Sequence, residues 1–157
     1  MSKAALLAKD TINGQEGEAT AKIGSEIQKL FMVKDIEATI EKEKEEVKTL
    51  GRRGTGNKAV GFKGTGSMTM YYASTYFRKM ALDYVKNGRD IYFDLTITND
   101  DPTSAVGKQT IVLYGCNFDS IVIAKLDTDS AVLDEEMDFT FEDFDILEEF
   151  QTPDYLK

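Results

Sequence analysis

Residues 67–88 read SMTMYYASTYFRKMALDYVKNG and contain a strand signal followed at once by a helix signal. In the first part, apolar residues occupy every second position, as in a strand with one buried face. In the second part, apolar residues recur at intervals of three and four, as on one face of a helix. Ser74 is a candidate N-cap and Gly88 a candidate left-handed stop. The segment therefore predicts a strand and then a helix at about residues 75–87.

Strand signals dominate the sequence around this helix. The runs of apolar or alternating residues lie at 17–23, 91–98, 110–114, 120–126 and 137–141. The runs 110–114 and 120–126 flank Gly115–Asp119 and form a hairpin candidate, with Cys116 in its turn. After Phe141 the alternation changes parity, which predicts a bulge or break near Glu142-Asp143. The sequence predicts a mainly β fold, mostly antiparallel, with one flanking helix.

Residues 27–50 fit both the helical spacing of apolar residues and the alternation typical of a strand. Ile36, Ile40, Val47 and Leu50 are spaced as on one helix face, and EKEKEEVK at 41–48 is rich in helix formers. Ile36, Ala38 and Ile40 also alternate with polar residues, as in a half-buried strand. The residues by themselves favour a helix narrowly.

Composition bounds the class of protein. The chain has 157 residues, of which 41% are hydrophobic, and this is enough apolar content for one domain spanning 1–157. Its net charge is −9. It has no histidine, the commonest general base and a common metal ligand. Its single cysteine, Cys116, cannot form an intrachain disulfide, which favours a reducing compartment of synthesis. The five apolar residues Ala4–Ala8 are too few for a signal peptide or a membrane span. We expect a soluble protein made without an export signal, with a polar N-terminal arm at about 1–15.

Two stretches have opposite charge. Gly51–Gly66, GRRGTGNKAVGFKGTG, carries a local charge of +4, whereas Asp127–Phe150 carries −11. This pattern predicts head-to-tail pairing between copies of the chain. The basic candidates are Gly51, Arg52, Arg53, Gly54, Lys58 and Lys63, and the acidic contact candidates are Asp134, Glu135, Glu136, Asp138, Glu142 and Asp143.

The motifs that suggest chemistry are incomplete. Gly54-Thr55-Gly56 begins like a dinucleotide fingerprint but lacks the later glycine, and no P-loop Gly-Lys-Ser/Thr follows. Asp127-Thr128-Asp129-Ser130 departs from a calcium loop at the positions that follow it. We therefore expect no catalytic residue, metal or cofactor. A pair of carboxylates for glycoside hydrolysis needs no histidine, so a carbohydrate-acting or carbohydrate-binding β-sandwich module stays open as an alternative.

The order of several motifs resembles a known family. The stretch IEATIEKEKEEVKTLGRRGTGNKAVGFKGTGSMTMYY at 36–72 is followed by DYVKNG at 83–88. IVLYGCNFDSIVIAKLDTDS at 111–130 and FTFEDFD at 139–145 then follow in the same order. Together they resemble the tail tube proteins of PBSX-type prophages and contractile phage tails over about residues 10–146.

The resemblance implies a β-sandwich or barrel with one helix, and strand rather than helix from Ile36. It also implies an extended hairpin loop at about 42–66 and hexameric rings stacked into a hollow tube. The acidic candidates named above are then candidates for the lumen as well as for contacts between copies. That tube would conduct DNA without binding it specifically, or ions in a bacteriocin, and would meet sheath, baseplate and tape-measure proteins. The expected location is a virion or phage-tail-like particle, with synthesis in the bacterial cytoplasm and no membrane. The resemblance leaves open whether the particle is a phage or a bacteriocin and whether its tail is contractile. It also leaves open the roles of the N-terminal arm and of residues 151–157.

Overall fold

The computed structural model describes residues 5–30 and 32–157. In this part of the chain there are eight strands and one α-helix, α1 (Tyr76–Asn87). The strands are β1 (Gly17–Ile23), β2 (Glu26–Lys29), β3 (Val33–Val47), β4 (Gly56–Tyr71), β5 (Phe93–Asp100), β6 (Lys108–Phe118), β7 (Asp134–Phe141) and β8 (Asp143–Glu148). The paired strands are antiparallel, so the predicted mainly β fold with one helix is confirmed.

The chain divides into two compact units. The first contains the described part of residues 1–31 together with 92–114 and 143–157, and the second contains 32–91 and 115–142. In the first unit β1 pairs with β2 and β5, and β8 pairs with β6 from Thr110 to Tyr114. Ala21, Leu95 and Phe93 are among its most deeply buried residues.

Both chain ends of the first unit are tied to the loop after β5. The buried Asp10 carboxylate accepts hydrogen bonds from the Tyr155 hydroxyl at 2.6 Å and the Ala105 N–H at 2.9 Å. These bonds hold the pKa of Asp10 below its ordinary value. Burial and the Asp10 carboxylate raise the pKa of Tyr155 in turn. Of the predicted N-terminal arm, residues 1–4 lie outside the described residues, and Asp10 ties the segment that follows them to this loop.

The second unit is a sheet with α1 packed on it. β4 pairs with β3 along its whole length and with β7 from Gly64 to Tyr71. Phe77 of α1 is buried and meets Phe118 of β6 edge to face, with ring centroids 4.8 Å apart. The helix begins one position later than predicted and ends at Gly88, whose φ of 70° only glycine adopts easily.

Two glycines of β4 make room for aromatic rings from β7. A Cβ at Gly64 would lie 2.7 Å from the Phe141 ring. A Cβ at Gly66 would lie 2.8 Å from the Phe139 ring. Since such distances are far inside van der Waals contact, both positions need glycine for the aromatic face to close.

Three expectations were wrong: the helix within 27–50, the hairpin turn at Gly115–Asp119, and the strand at 120–126, where the structure has no regular secondary structure. β3 occupies Val33–Val47, so the helix favoured by the residues alone is not formed, and the strand implied by the family resemblance is confirmed. The predicted hairpin with a turn at Gly115–Asp119 is replaced by one long strand, β6. Gly115 takes φ 66° inside it, so the chain changes direction locally without a turn, and Cys116 is fully buried in the strand. The predicted break is confirmed at Glu142, between β7 and β8.

Candidate assembly surfaces

The distal half of the β3–β4 hairpin extends as a two-stranded ribbon. β7 pairs with β4 only as far as Gly64, whereas the β3–β4 ladder continues from Glu41↔Lys63 to Val47↔Gly56. We call residues 41–63 the ribbon. Seven residues at about 3.3 Å each give each strand a reach of roughly 23 Å. Among the described strands, only β3 pairs with residues 56–63.

The tip of the ribbon is basic and exposed. Gly51, with φ 81°, turns the chain there, and Arg52 and Arg53 follow it with exposed side chains. In the described part of the chain, neither arginine forms an ion pair. Lys58 lies near the tip and Lys63 at the base, both exposed. The structure thus brings most of the predicted basic residues together at one end of the hairpin.

Apolar side chains on the ribbon are also exposed. Phe62 is 54% exposed, Val60 55%, and Leu50 at the tip is fully exposed. Val60 is the extra residue of a β-bulge, because Glu43 pairs with Gly61 and Lys44 with Ala59. An exposed, apolar and unpaired edge is a hazard for a solitary protein, and it indicates a surface that a partner covers.

The acidic candidates on β7 fall on two faces. Glu136 and Asp138 are exposed and lie opposite Thr69 and Ser67 of β4. Ser67 in turn lies opposite Glu37 of β3. We call this side of the second unit the polar face. It carries a shallow depression of about 420 Å³ whose lining includes Glu37, Asp119 and Asp138.

Glu135 has a different role, because its carboxylate is buried. It is 3% exposed, lies opposite Met70, and pairs with Arg78 of α1 at 2.5 Å. Arg78 also donates to the carbonyls of Ser74 and Val122 and stacks 4.3 Å over the Tyr72 ring. The prediction of Glu135 as a contact or lumen acid is therefore wrong. The physical reason is parity: its side chain points to the same face as Met137 and the β7 aromatics.

The other acidic candidates have distinct surroundings. Asp134 forms ion pairs with Lys34 at 3.4 Å and Lys125 at 3.7 Å. Glu142 lies in the bend after β7, and a Cβ at Gly115 would lie 2.9 Å from its carboxylate. Asp143 begins β8 in the first unit and is exposed.

Arg78 was missed by sequence reasoning, although a signal for it exists. A charged residue at an inward position of a strand needs a buried partner of opposite charge. Glu135 occupies such a position, which requires a cation close by. The helix sequence offers Arg78 and Lys79 as neighbours, and only packing of the helix decides between them.

A mainly β chain with one helix, a protruding ribbon and separate basic and acidic surfaces has the features of a self-assembling structural protein. The family model described as "Phage tail tube protein" matches residues 4–148, so the chain belongs to the phage tail tube protein family. The resemblance noted in the sequence is confirmed.

Similar proteins occur in Bacillus subtilis (strain 168). The phage-like element PBSX protein XkdM is 45% identical over 144 residues, 92% of this chain and 95% of that protein. The uncharacterized protein YqbM is 44% identical over 148 residues, 94% of this chain and 98% of that protein. A solved B. subtilis structure is 42% identical, with a TM-score of 0.53, and covers 91% of this chain and 100% of its own.

The fold also matches tube-bearing particles of distant sequence. A chain of the PVC sheath–tube complex, from an extracellular contractile injection system, has a TM-score of 0.66 at 10% identity. It covers 88% of this chain and 93% of its own. A chain of the six-fold symmetrised anti-feeding prophage baseplate has a TM-score of 0.62 at 12% identity, covering 94% and 97%.

The chain is therefore a structural protein of phage-type tails and not an enzyme. Within residues 5–30 and 32–157, no group of three or more metal-ligating side chains is close enough to hold an ion. None of the helices in this part has the length and hydropathy needed to cross a bilayer.

Proposed function

We propose that this chain is a tail tube subunit that assembles into hexameric rings, which stack into a hollow tube. In a phage the tube conducts DNA, and in a bacteriocin it conducts ions. Membership of the tail tube family carries the proposal. The six-fold symmetrised baseplate and the sheath–tube complex, which contain the same fold, support it. The whole chain, 1–157, acts as one tail-tube domain, and family membership favours this function over the carbohydrate-module alternative.

The ribbon supplies the means of assembly. A heterologous contact that closes after a fixed rotation makes a ring, and a second contact stacks rings into a filament. The ribbon reaches about 23 Å from the sheet, which is far enough to cross onto a neighbouring subunit. Its unpaired edge, normally a cause of aggregation, is then satisfied by the next copy.

The ribbon tip docks on acidic surface of the neighbour. Arg52 and Arg53 are exposed and lack intrachain acids in the described structure, so their charge is available to another copy. The −11 stretch at 127–150 offers the opposite charge. A contact of this kind, exposed to solvent, weakens as salt shortens the Debye length to about 3 Å at 1 M.

The polar face lines the lumen. Glu136 and Asp138 project from it, with Glu37 on β3 adding a third exposed carboxylate. Carboxylates repel phosphates, so DNA slides past this wall without binding, whereas a basic wall would retain it. Glu142 and Asp143 are left as contact acids.

The expected partners are sheath, baseplate and tape-measure proteins. The PVC structure is a complex of sheath and tube in the extended state. We propose that this chain likewise forms a tube surrounded by sheath. The particle is a virion or a phage-tail-like particle, whose components are synthesised in the bacterial cytoplasm.

The test is a charge reversal at the ribbon tip. The double variant Arg52→Glu/Arg53→Glu should keep the circular dichroism spectrum and melting temperature of the parent yet form no tubes in negative-stain microscopy. The matched control is Lys79→Glu/Lys86→Glu, which makes the same charge change at two exposed positions of α1. Normal tubes from the tip variant would contradict the docking contact.

A further inference from the structure

The connection between β6 and β7 contains a segment that has strand-like sequence but forms no strand. Ser120–Leu126 reads SIVIAKL, rich in the β-branched residues that strands prefer. In the structure these residues have no helix, strand or turn. Within the described part of the chain, no backbone N–H of this segment donates a hydrogen bond. The segment thus carries a full set of unused donors.

Side chains hold this segment in place instead. Arg78 donates to the Val122 carbonyl at 3.2 Å, and Lys125 donates to the Asp134 carbonyl at 2.6 Å. Ile123 is 60% exposed and Leu126 97% exposed. The segment is therefore fixed at two points. Its backbone N–H groups have no acceptor in the described part of the chain and two of its large apolar side chains are exposed, and a covering strand would satisfy the first and bury the second.

A free edge of matching length exists on the same molecule. Residues 56–63 of β4 pair with β3 on one side, and β7 ends opposite Gly64, so no described strand pairs with the other side of these eight residues. This edge carries the exposed Val60 and Phe62. The seven-residue segment matches the eight-residue edge in length, and the apolar residues of the edge, Ala59, Val60 and Phe62, lie at its centre.

Charge favours one direction of pairing, because two arginines lie at the tip of the ribbon and a single lysine, Lys63, at the base of the edge. The 56-end of the edge lies at the basic ribbon tip, beside Arg52 and Arg53, and the acidic residues Asp127 and Asp129 follow directly after Leu126. Antiparallel pairing puts the acidic end of the segment at the tip. With Asn57 opposite Leu126 it also puts Lys125 opposite Lys58, a like-charge pair that the acids beside the two arginines have to offset. Parallel pairing would carry those acids to the base of the ribbon, away from both arginines.

We infer that Ser120–Leu126 of one copy adds as an antiparallel strand to residues 56–63 of β4 in a second copy. Main-chain hydrogen bonds supply the affinity, and apolar contacts with Val60 and Phe62, together with the tip charges, supply the register. The inference rests on the proposed tube function and names the two segments that meet.

Cysteine cross-linking tests the pairing and its direction. The antiparallel register places Asn57 opposite Leu126, whereas Ser120 then lies six residues further along, about 20 Å away. A disulfide needs Cα atoms within about 7 Å. Mixed tubes of Asn57→Cys and Leu126→Cys chains should give a disulfide-linked dimer on mild oxidation. Mixtures of Asn57→Cys and Ser120→Cys chains should not.

The controls are each cysteine variant alone and the parent chain. Cys116 is fully buried, so the parent should give no dimer. A dimer from the Asn57/Ser120 mixture, or none from either mixture, overturns the inference.

A proline scan gives a second, independent readout. Along one edge of an antiparallel ladder, only alternate residues donate their N–H to the neighbouring strand. Proline at Ile123 or Ala124 should change the monomer's melting temperature little, because both residues are exposed and their N–H groups donate nothing within the described monomer. One of these two neighbouring positions should raise the critical concentration for assembly about tenfold or more, and the other should change it little.

A flat scan in chains that still form tubes overturns this inference and leaves the proposed function standing. If the parent chain forms no tubes at all, the proposed function itself fails.

Discussion

Replacing Arg78 with methionine should be among the most damaging single changes in the second unit. The Arg78 side chain is 12% exposed, and its guanidinium pairs with the carboxylate of Glu135, whose side chain is 3% exposed. It also satisfies the Ser74 and Val122 carbonyls and covers the Tyr72 ring. Removing one member of a buried ion pair costs about 3–5 kcal/mol, because the other charge stays buried without a partner. Urea unfolding followed by circular dichroism should show a loss of that size.

Two comparisons separate the buried charge from general damage to the fold. Arg78→Met/Glu135→Leu removes both charges, so it should recover much of the lost free energy of unfolding. Lys108→Ala breaks the solvent-exposed pair with Glu148 and should cost at most about 1 kcal/mol. If Arg78→Met alone costs less than about 1 kcal/mol, the reasoning about this network is refuted.

Three further predictions concern packing, pH and the lumen. Gly66→Ala should destabilise the fold by about 1–3 kcal/mol in urea unfolding, because its Cβ would meet an aromatic ring, whereas Gly54→Ala, with nothing within 4 Å, should cost almost nothing; equal costs would contradict the packing. The lowered pKa of Asp10 means that its stabilising effect is present above the unfolded carboxyl pKa of about 3.9 and is lost as the pH falls through the folded value. Asp10→Asn should therefore reduce the loss of the free energy of unfolding that accompanies acidification. An unchanged dependence on pH in the acid range would contradict a stabilising role for the Asp10 carboxylate. Tubes of Glu136→Lys/Asp138→Lys should retain double-stranded DNA at low salt and release it at high salt, whereas parent tubes should not bind it; equal retention by both would contradict the acidic lumen.

Much of the fold could be predicted where a segment showed only the helical or only the strand period of apolar residues. The helix at 76–87 has an apolar stripe and a terminal glycine, and β7 has clean alternation ending in a change of parity. Residues 33–47 could not be settled by local pattern, because glutamate and lysine favour helices while the tertiary pairing with β4 forms a strand. Long-range pairing outweighed local propensity there.

The candidate site was predictable in part for a different reason. Charge counting found the basic tip, since exposed charges need no tertiary context. It did not separate Glu135 from Glu136, which are adjacent in sequence and point to opposite faces of β7. The segment 120–126 was predicted as a strand on sound composition. Among residues 5–30 and 32–157 of a single chain no strand pairs with it, so local composition predicted a strand whose partner the monomer does not supply.

Cryo-electron microscopy of particles formed by the purified chain would show directly whether copies assemble into a tube through the ribbon. We expect hollow cylinders of stacked rings with six subunits each, the ribbon of one subunit lying on its neighbour and the polar face toward the lumen. A chain that stays monomeric at millimolar concentration, or rings of a different subunit number with the ribbon exposed to solvent, would contradict this expectation.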